Sequence, residues 1–468
     1  MSTARVSENK WLVFTVTGIA SLVVSFSMNS MTLALPLLVK EFSVGQSVVS
    51  WLAITYSLIP CCTLLIFGRT GDLFGYKKQF KIGFIFYAAV CLVAPLLSSS
   101  IGILILFRSL QGLGYSILIS ITQAIVSRSF PENERGMALG VHSVFVSVGF
   151  AIGPSLGGLL LTHFSWHALF YFNVPFCLAG YLTSCRYLPD DNPAEKGGKQ
   201  MDVLGAVLLS ISLGAIVIGL NLGGGWGYSS LAFISCIVVG LGGIWSFIRH
   251  EIAAPSPLMN LHLFRNRTFT FANIVCMISY LVQQLINYLM PFYLISILLL
   301  GADRAGLIML ASPLLMILCS PVGGRLTDKK GSRFPAGLGL ILICAGCLIM
   351  VQLGETTAYY IAIIILILMG AGNGFSVTSI NTAIIDATPR EHTGIASGML
   401  ATMRTLGQAC GVLFATIILS LRQPVYSLFT EQQAYLFAQR DTFYFGMFLV
   451  VLAIILVWRL PQRKQKDY

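Results

Sequence analysis

Charged residues are scarce in this sequence. Asp, Glu, Lys and Arg together make up only 10% of the 468 residues, whereas an ordinary soluble domain contains about 25%. Hydrophobic residues make up 56% of the chain, 45 residues are glycine, and the mean hydropathy is +0.82. This balance excludes soluble, disordered and collagen-like proteins, so the sequence predicts a membrane protein.

Several chemical signatures are also missing. The chain has no GxxxxGK[ST] phosphate loop and no HExxH, which argues against an ATP-driven pump and against the HExxH class of metal-dependent hydrolases. The 11 cysteines lie inside apolar runs, and an odd number placed in this way indicates buried thiols rather than a disulfide framework. We expect no enzymatic activity, no cofactor and no metal site.

The apolar residues fall into fourteen runs that are long enough to cross a bilayer as helices, which needs about 20 residues each. We number them helix 1 to helix 14. The first extends from Trp11 to Pro36 and the last from Asp441 to Leu460. The first run is too long for a signal-peptide core, so we retain it as a span. The other runs begin near Ser47, Gln79, Ile101, Gly136, His167, Val203, Ser230, Thr270, Arg304, Pro335, Thr357 and Gly394.

Basic residues are distributed unequally between the two sides of these spans. Of 29 Lys and Arg residues, 23 lie at the termini and in alternate loops, four lie in the opposite loops, and Arg108 and Arg404 lie inside spans. Basic loops face the cytoplasm, so the sequence predicts a multi-pass protein of the cell membrane with both termini cytoplasmic. The basic charge then belongs to the membrane topology, and we expect no nucleic-acid partner.

The chain contains an internal repeat. The pattern Gly68-x-x-x-Asp72-x-x-Gly75-x-Lys77 follows helix 2 and recurs 256 residues later as Gly324-x-x-x-Asp328-x-x-Gly331-x-Arg333 after helix 10. Other anchors keep nearly the same spacing, so helices 1 to 6 repeat as helices 9 to 14. The predicted fold is an all-α membrane protein with 14 transmembrane helices, in which residues 1–190 and 251–468 form two six-helix halves and residues 191–250 form a linker with a two-helix insert.

Three motifs carry a family resemblance. The loop from Gly68 to Lys78 and the segment Arg108-x-x-Gln111-Gly112-x-Gly114 resemble signatures of the major facilitator superfamily. The segment Gly149-x-x-x-Gly153-Pro154-x-x-Gly157-Gly158 resembles its antiporter motif in helix 5. With fourteen helices, the chain is similar to the drug:proton antiporter family, which implies a secondary transporter with substrate bound between the two halves. The resemblance also implies that a bend at Gly153-Pro154 limits leak in exporters.

The basic loop after helix 2 provides a candidate conformational gate. A carboxylate at Asp72 beside Lys77, Lys78 and Arg135 can form ion pairs that break when the halves move, and Asp328 is its repeat equivalent. The resemblance implies such a gate. The alternative is that these are solvated loop charges.

Arg108 is the candidate coupling residue. It lies seven residues into helix 4, roughly 10 Å along the axis, where an unpaired cation costs at least ~2.5 to 3.5 kcal/mol. Its repeat equivalent is Leu366, so the fold does not require the charge. The alternative interpretation is an arginine satisfied by backbone carbonyls. Arg404 in helix 13 is a second cation, which can instead extend towards the cytoplasm.

Polar stripes indicate a substrate cavity. Ser21, Ser25, Asn29 and Thr32 share one face of helix 1, and Tyr280, Gln284 and Asn287 form the matching face of helix 9. Polar groups avoid lipid, so both faces are predicted to lie inside the bundle, either lining a cavity or bonding between helices. The proposed lining comprises Asn29, Thr32, Gln111, Gln283, Gln284, Asn287, Tyr288 and Asn373.

One residue departs from the family pattern. Ser27 stands where the antiporters usually carry an aspartate, and a membrane carboxylate is the group that normally couples cation export to protons. The sequence therefore leaves three functions open. The first is efflux of hydrophobic drugs or metabolites in exchange for protons; the others are uptake of a small aromatic or anionic nutrient such as riboflavin and, ranked lower, a channel or sensor. We expect a monomer with a small-molecule substrate.

The fourteen-helix topology makes a direct prediction about the loop after helix 7. A cysteine introduced by Ser229→Cys should react with a membrane-impermeant thiol reagent added from outside intact cells, because that loop is predicted to be external. The unsubstituted chain is the control for its own cysteines. Labelling only from the cytoplasmic side would contradict the topology, since every later loop would then be inverted.

Overall fold

The computed structural model describes residues 3–129, 135–188, 202–227, 229–254, 261–388 and 393–460. Within these ranges the regular structure is entirely helical, and fourteen helices are long and apolar enough to cross a membrane. The predicted fold class is therefore confirmed. The linker between residues 189 and 201, the loop 130–134 and the loop 389–392 lie outside the described residues.

The first six spans contain two breaks. Helices 2 and 6 are each interrupted near their first ends, whereas the others are continuous. Their bounds are Thr3–Glu41 for helix 1, Gln46–Val49 and Trp51–Phe74 for helix 2, Tyr76–Leu97 for helix 3, Ile101–Ser129 for helix 4, Arg135–His163 for helix 5, and His167–Tyr171 with Asn173–Tyr187 for helix 6.

The remaining spans follow the same order. The insert consists of helix 7, Val203–Trp226, and helix 8, Leu231–Ala253. A short 3-10 turn, Leu261–Arg265, leads into helix 9, Arg267–Phe292, which ends in a π-turn at Tyr293–Ile297. The last helices are Ala302–Met309 with Ala311–Lys330 for helix 10, Arg333–Met350 for helix 11, Tyr359–Asp386 for helix 12, Thr393–Arg422 for helix 13 and Glu431–Trp458 for helix 14.

Two helix ends differ from the sequence prediction. Helix 1 continues through Pro36 to Glu41, because neighbouring helices tolerate a proline inside a transmembrane helix. Helix 14 begins ten residues before Asp441, where the Thr430 hydroxyl accepts a hydrogen bond of 3.3 Å from the Gln433 N–H. Hydropathy locates only the apolar part of a helix, so the polar first turns of helix 14 were missed.

The repeat is visible in the backbone at the turns after helices 2 and 10. Gly75 and Gly331, 256 residues apart, both have positive φ, at 100° and 79°. Each ends its helix with an N–H bond, from Gly75 to the Gly71 carbonyl at 3.0 Å and from Gly331 to the Thr327 carbonyl at 2.9 Å. Side chains other than glycine rarely adopt this conformation, which explains the glycine in both copies.

The repeat is also visible where helix 5 meets helix 1. A Cβ added at Gly153 would lie 2.8 Å from the Asn29 Cβ and 3.2 Å from the Phe26 carbonyl oxygen. In the second half, a Cβ at Gly411 would meet the Leu281 carbonyl and lie 3.0 Å from the Gln284 Cβ. The same close approach therefore joins helix 5 to helix 1 and helix 13 to helix 9.

The two-helix insert is held together by small residues and by its ends. A Cβ at Gly219 of helix 7 would lie 2.8 Å from the Cys236 Cβ of helix 8. Asp202 caps helix 7 by accepting from the Gly205 N–H at 2.9 Å, and its Oδ1 lies 2.7 Å from His250 Nε2. The Ser210 hydroxyl donates to the Cys62 carbonyl at 3.3 Å, so the insert attaches to helix 2.

The close approach at Gly153 predicts a local effect on stability. Gly153→Ala should lower the midpoint of thermal unfolding of the purified protein, because overpacking of a tight contact costs about 1–3 kcal/mol. Gly214→Ala is the matched control: Gly214 is inside helix 7, and an added Cβ there meets nothing within 4 Å. An equal fall in both variants would show that the helix 1 contact is not the cause.

Candidate substrate site

The candidate gate residues lie at the ends of helices 2, 3 and 10. Lys77 is half-buried, Lys78 and Asp328 are exposed, and the side chains of Asp72 and Arg135 lie outside the described part of the structure. The same corner contains Gln79, which the sequence did not single out. Its amide nitrogen donates to the carbonyls of Phe67 and Ile117 at 2.8 and 3.1 Å, so this buried side chain fastens the ends of helices 2, 3 and 4 together.

The glycine motif of helix 5 packs against two different helices through two of its faces. Gly149, Gly153 and Gly157 face helix 1, where an added Cβ at Gly157 would lie 2.8 Å from the Ser30 Cβ. Helix 5 continues through Pro154 without a break. The motif therefore provides a smooth surface of glycines along helix 1, within the first half.

The second face of the motif meets the other half of the molecule. A Cβ at Gly158 would meet the Ala302 carbonyl, and one at Gly306 would meet the Pro154 carbonyl. The Asp303 N–H donates to the Thr162 hydroxyl at 3.2 Å. Helices 5 and 10 are therefore in backbone contact at the end of the bundle opposite to the basic loops, and that end is closed between them.

Arg108 is buried inside the first half, with 2% of its surface exposed. Its Nε donates to the Leu52 carbonyl at 3.3 Å and its Nη1 to the Ser27 hydroxyl at 3.2 Å, while Nη1 also bonds the Gln111 side-chain oxygen. The Tyr56 ring lies 4.0 Å from the guanidinium carbon. Arg108 thus connects helices 1, 2 and 4 through hydrogen bonds and a cation–π contact.

This network extends through side chains that sequence patterns did not indicate. The Tyr56 hydroxyl donates to the Val24 carbonyl at 3.1 Å and lies 3.0 Å from the Tyr87 hydroxyl. The Gln111 amide nitrogen lies 3.1 Å from the Cys91 sulfur. Neighbouring polar groups are needed because an unpaired guanidinium in a low-dielectric core would be costly.

The space beside Arg108 is small. It is lined by Ser27, Ser30, Met31, Arg108, Leu169 and Phe170, and it does not admit a water molecule. Pockets that bind drug-sized ligands occupy about 300–1,000 Å³. The surroundings of Arg108 are therefore a packed part of the first half rather than an open binding cavity.

The polar stripe of helix 1 is buried in helix contacts. The Asn29 amide nitrogen donates to the Ser25 carbonyl at 3.0 Å, and the Thr32 hydroxyl donates to the Met28 carbonyl at 2.9 Å. Asn29 is 6% exposed and Gln284 is 3% exposed, and their Cβ atoms lie against Gly153 and Gly411. In this conformation both residues belong to the seams between helices 1 and 5 and between helices 9 and 13.

The other proposed lining residues lie at different depths. Gln283 and Asn287 are half-buried and share one face of helix 9 with Tyr280, because their spacings are three and four residues. Tyr288 is fully buried, and its ring stands 5.5 Å from that of Phe292. Asn373 of helix 12 is 2% exposed.

A second cation stands between the halves. Arg404 of helix 13 is half-buried and lies beside Tyr280 of helix 9 and Tyr115 of helix 4. His142 of helix 5 also faces Arg404, and its Nε2 is 2.9 Å from the Ser21 hydroxyl. The Tyr115 ring is 5.9 Å from that of Tyr56. This group contains residues from six helices and from both halves.

Sequence patterns alone could not have assembled this second group. Tyr115, His142 and Arg404 come from three helices of two repeats, and none belongs to a recognised motif. The available signal was the charge at Arg404 inside an apolar run. Among the described residues, no three His, Cys, Asp or Glu side chains form a group that could hold a metal ion.

Comparison with known proteins places the chain in a family. The model described as Major Facilitator Superfamily matches residues 17–412 and 272–467. The riboflavin transporter RibZ of Clostridioides difficile (strain 630) is 27% identical over 98% of this chain and 99% of its own. The lincomycin resistance protein LmrB of Bacillus subtilis (strain 168) is 27% identical over 93% of each chain.

A solved structure supports the same fold. An auto-inhibited peptide transporter of the POT family superposes with a TM-score of 0.70 at 14% identity, over 97% of this chain and 98% of that chain. The family model matches most of the sequence, and the motifs, the fourteen spans and the paired turns agree with it. The chain belongs to the Major Facilitator Superfamily.

Proposed function

We propose that the protein is a secondary active transporter that works by alternating access. The observation that carries this proposal is the contact between helices 5 and 10, which closes one end of the interface between two repeated halves. Arg404 is a half-buried polar group between the halves, and half-buried Gln283 and Asn287 share the face of helix 9 that carries Tyr280. A site reached from one side at a time is what an alternating-access transporter requires.

The proposed direction is efflux of hydrophobic drugs or metabolites in exchange for protons. The glycine motif of helix 5 supports it through the resemblance to exporters, and resistance proteins are among the relatives. In this proposal both termini are cytoplasmic, one copy of the chain is the working unit, and its partners are the bilayer, a small-molecule substrate and protons.

Uptake of a small aromatic nutrient such as riboflavin is the second candidate. Two observations favour it. The relative named as a riboflavin transporter aligns over nearly the full length of both chains, and Ser27 replaces the aspartate usual in the antiporters. Without that carboxylate, a substrate gradient alone should drive flux in either direction.

Transport by purified protein in proteoliposomes distinguishes the two candidates. A panel of labelled neutral, anionic and cationic aromatic compounds, including riboflavin, is measured with and without an imposed proton gradient. Efflux against a concentration gradient that stops when the proton gradient is collapsed supports the exchanger. Downhill flux that is the same with and without the proton gradient supports the uptake carrier. If none of the compounds shows saturable flux, the result contradicts transport itself.

The buried contacts of Arg108 lead to a prediction about the transport rate. Arg108→Ala should abolish transport at equal expression, because it leaves the groups of Ser27, Leu52 and Gln111 without their donor. Arg108→Lys should restore only part of the rate, since an ammonium lacks the planar fork of guanidinium. The measurement is the initial rate of substrate flux in proteoliposomes.

Arg249→Lys is the matched control, because Arg249 stacks on Trp245 in the insert, with 5.3 Å between the guanidinium carbon and the ring centre. Its transport rate should stay at the level of the unsubstituted protein. Full activity in Arg108→Ala would show that the buried cation is dispensable for transport.

A further inference from the structure

We infer that the transporter selects aromatic compounds that carry one anionic group, such as carboxylates, and that Arg404 binds this group between the two halves. The inference rests on the transport function proposed above and adds a substrate class to it. Its basis is the different environment of the two cations that lie inside the spans.

Arg108 has three of its five N–H donors engaged within the first half. Three partners of the first half accept its hydrogen bonds, and the Tyr56 ring covers one face of the guanidinium. The adjoining space does not admit a water molecule. A substrate therefore cannot reach this cation without a rearrangement of helices 1, 4 and 6. Arg108 serves instead to position helices 1, 2 and 4.

Arg404 has donors to spare. A guanidinium presents five N–H donors, whereas the groups beside it are the hydroxyls of Tyr115 and Tyr280, the Cys276 thiol and the His142 ring. Those hydroxyls can accept hydrogen bonds, but they do not neutralise the charge. Both tyrosines are 7% exposed while Arg404 is half-buried, so the arginine is more exposed than either tyrosine.

The spans provide no carboxylate that could neutralise Arg404. Six of their seven acidic residues lie within the last three positions at an end of a span. The seventh, Asp441, is already bonded to Arg422, with 2.6 Å between Oδ2 and Nε. The six end residues are Glu41, Glu251, Asp303, Asp328, Asp386 and Glu431.

The first half adds to this positive potential. Ser27 stands where the antiporters usually carry an aspartate, and its hydroxyl lies 3.2 Å from Arg108 Nη1. A serine at this position carries no negative charge, so the positive charge of Arg108, like that of Arg404, is not neutralised. Two cations inside the spans without a deep carboxylate give the interior a positive potential, which attracts anions and repels cations through a medium of low dielectric.

The neighbours of Arg404 define the rest of the substrate. Tyr115 and Tyr280 flank the guanidinium from opposite halves. Aromatic side chains bind flat rings by stacking and edge contacts. A carboxylate held by Arg404 with its ring against the tyrosines would contact both halves, so its binding can favour one conformation over another.

The test compares three ligands of one shape but different charge. Binding of 2-naphthoate, 2-naphthamide and 2-naphthylmethylamine to purified protein is measured by equilibrium dialysis at pH 7.5. For the unsubstituted protein we expect the carboxylate to bind at least tenfold more tightly than the amide, and the amine most weakly. Bidentate pairing of arginine with carboxylate is the physical reason.

Variants then assign the preference to one residue. Arg404→Gln should abolish the preference for naphthoate over naphthamide while the affinity for naphthamide stays within threefold, which also shows that the variant is folded. Arg404→Lys should keep the order of affinities with a smaller difference. Arg249→Gln removes a charge from the insert and should leave all three affinities unchanged.

The outcomes separate this inference from the proposed function. Equal or weaker binding of the carboxylate by the unsubstituted protein would overturn the inference, as would a carboxylate preference that survives in Arg404→Gln. The proteoliposome panel then decides the proposed function: saturable flux of neutral or cationic compounds would leave the transporter assignment intact. Failure of every compound in that panel would instead contradict transport.

Discussion

The requirement that buried polar groups find partners inside the protein governs this structure, because hydrocarbon offers them none. Arg108 meets the requirement with a carbonyl, a hydroxyl, an amide and an aromatic ring drawn from helices 1, 2 and 4. Those partners fix the relative positions of three helices. The charge is thereby accommodated without a counter-ion, and the potential that it creates is retained inside the first half.

Glycine determines how closely the helices approach. Along helix 5, one face of glycines meets helix 1, while Pro154 and Gly158 meet helix 10. The first contact lies within a half and the second joins the halves, so a single helix serves both the fold and the closure of one end. Any movement that opens this end must separate helices 5 and 10.

The sequence was sufficient for the architecture and for part of the site. Hydropathy located fourteen spans, and the spacing of Gly75 and Gly331 revealed the repeat that their φ angles share. Periodicity could not tell that Asn29 and Gln284 lie against glycines of neighbouring helices, because a polar stripe suits a helix seam and a cavity equally well. The partners of Arg404 could not be predicted from the sequence, because they depend on how helices from different repeats pack together.

The two halves close their interface by different chemistry at the end opposite to the basic loops. Helix 5 offers Pro154 and Gly158 to helix 10, and the backbones touch. At the equivalent positions helix 13 carries Val412 and Thr416, both buried, and its partner by the repeat is helix 2. Thr416 and Gln46 of helix 2 lie beside the Tyr288 hydroxyl. The contact between helices 13 and 2 therefore depends on side chains, which can change rotamer. The contact between helices 5 and 10 is made by backbone atoms, so it opens only when the two helices move apart.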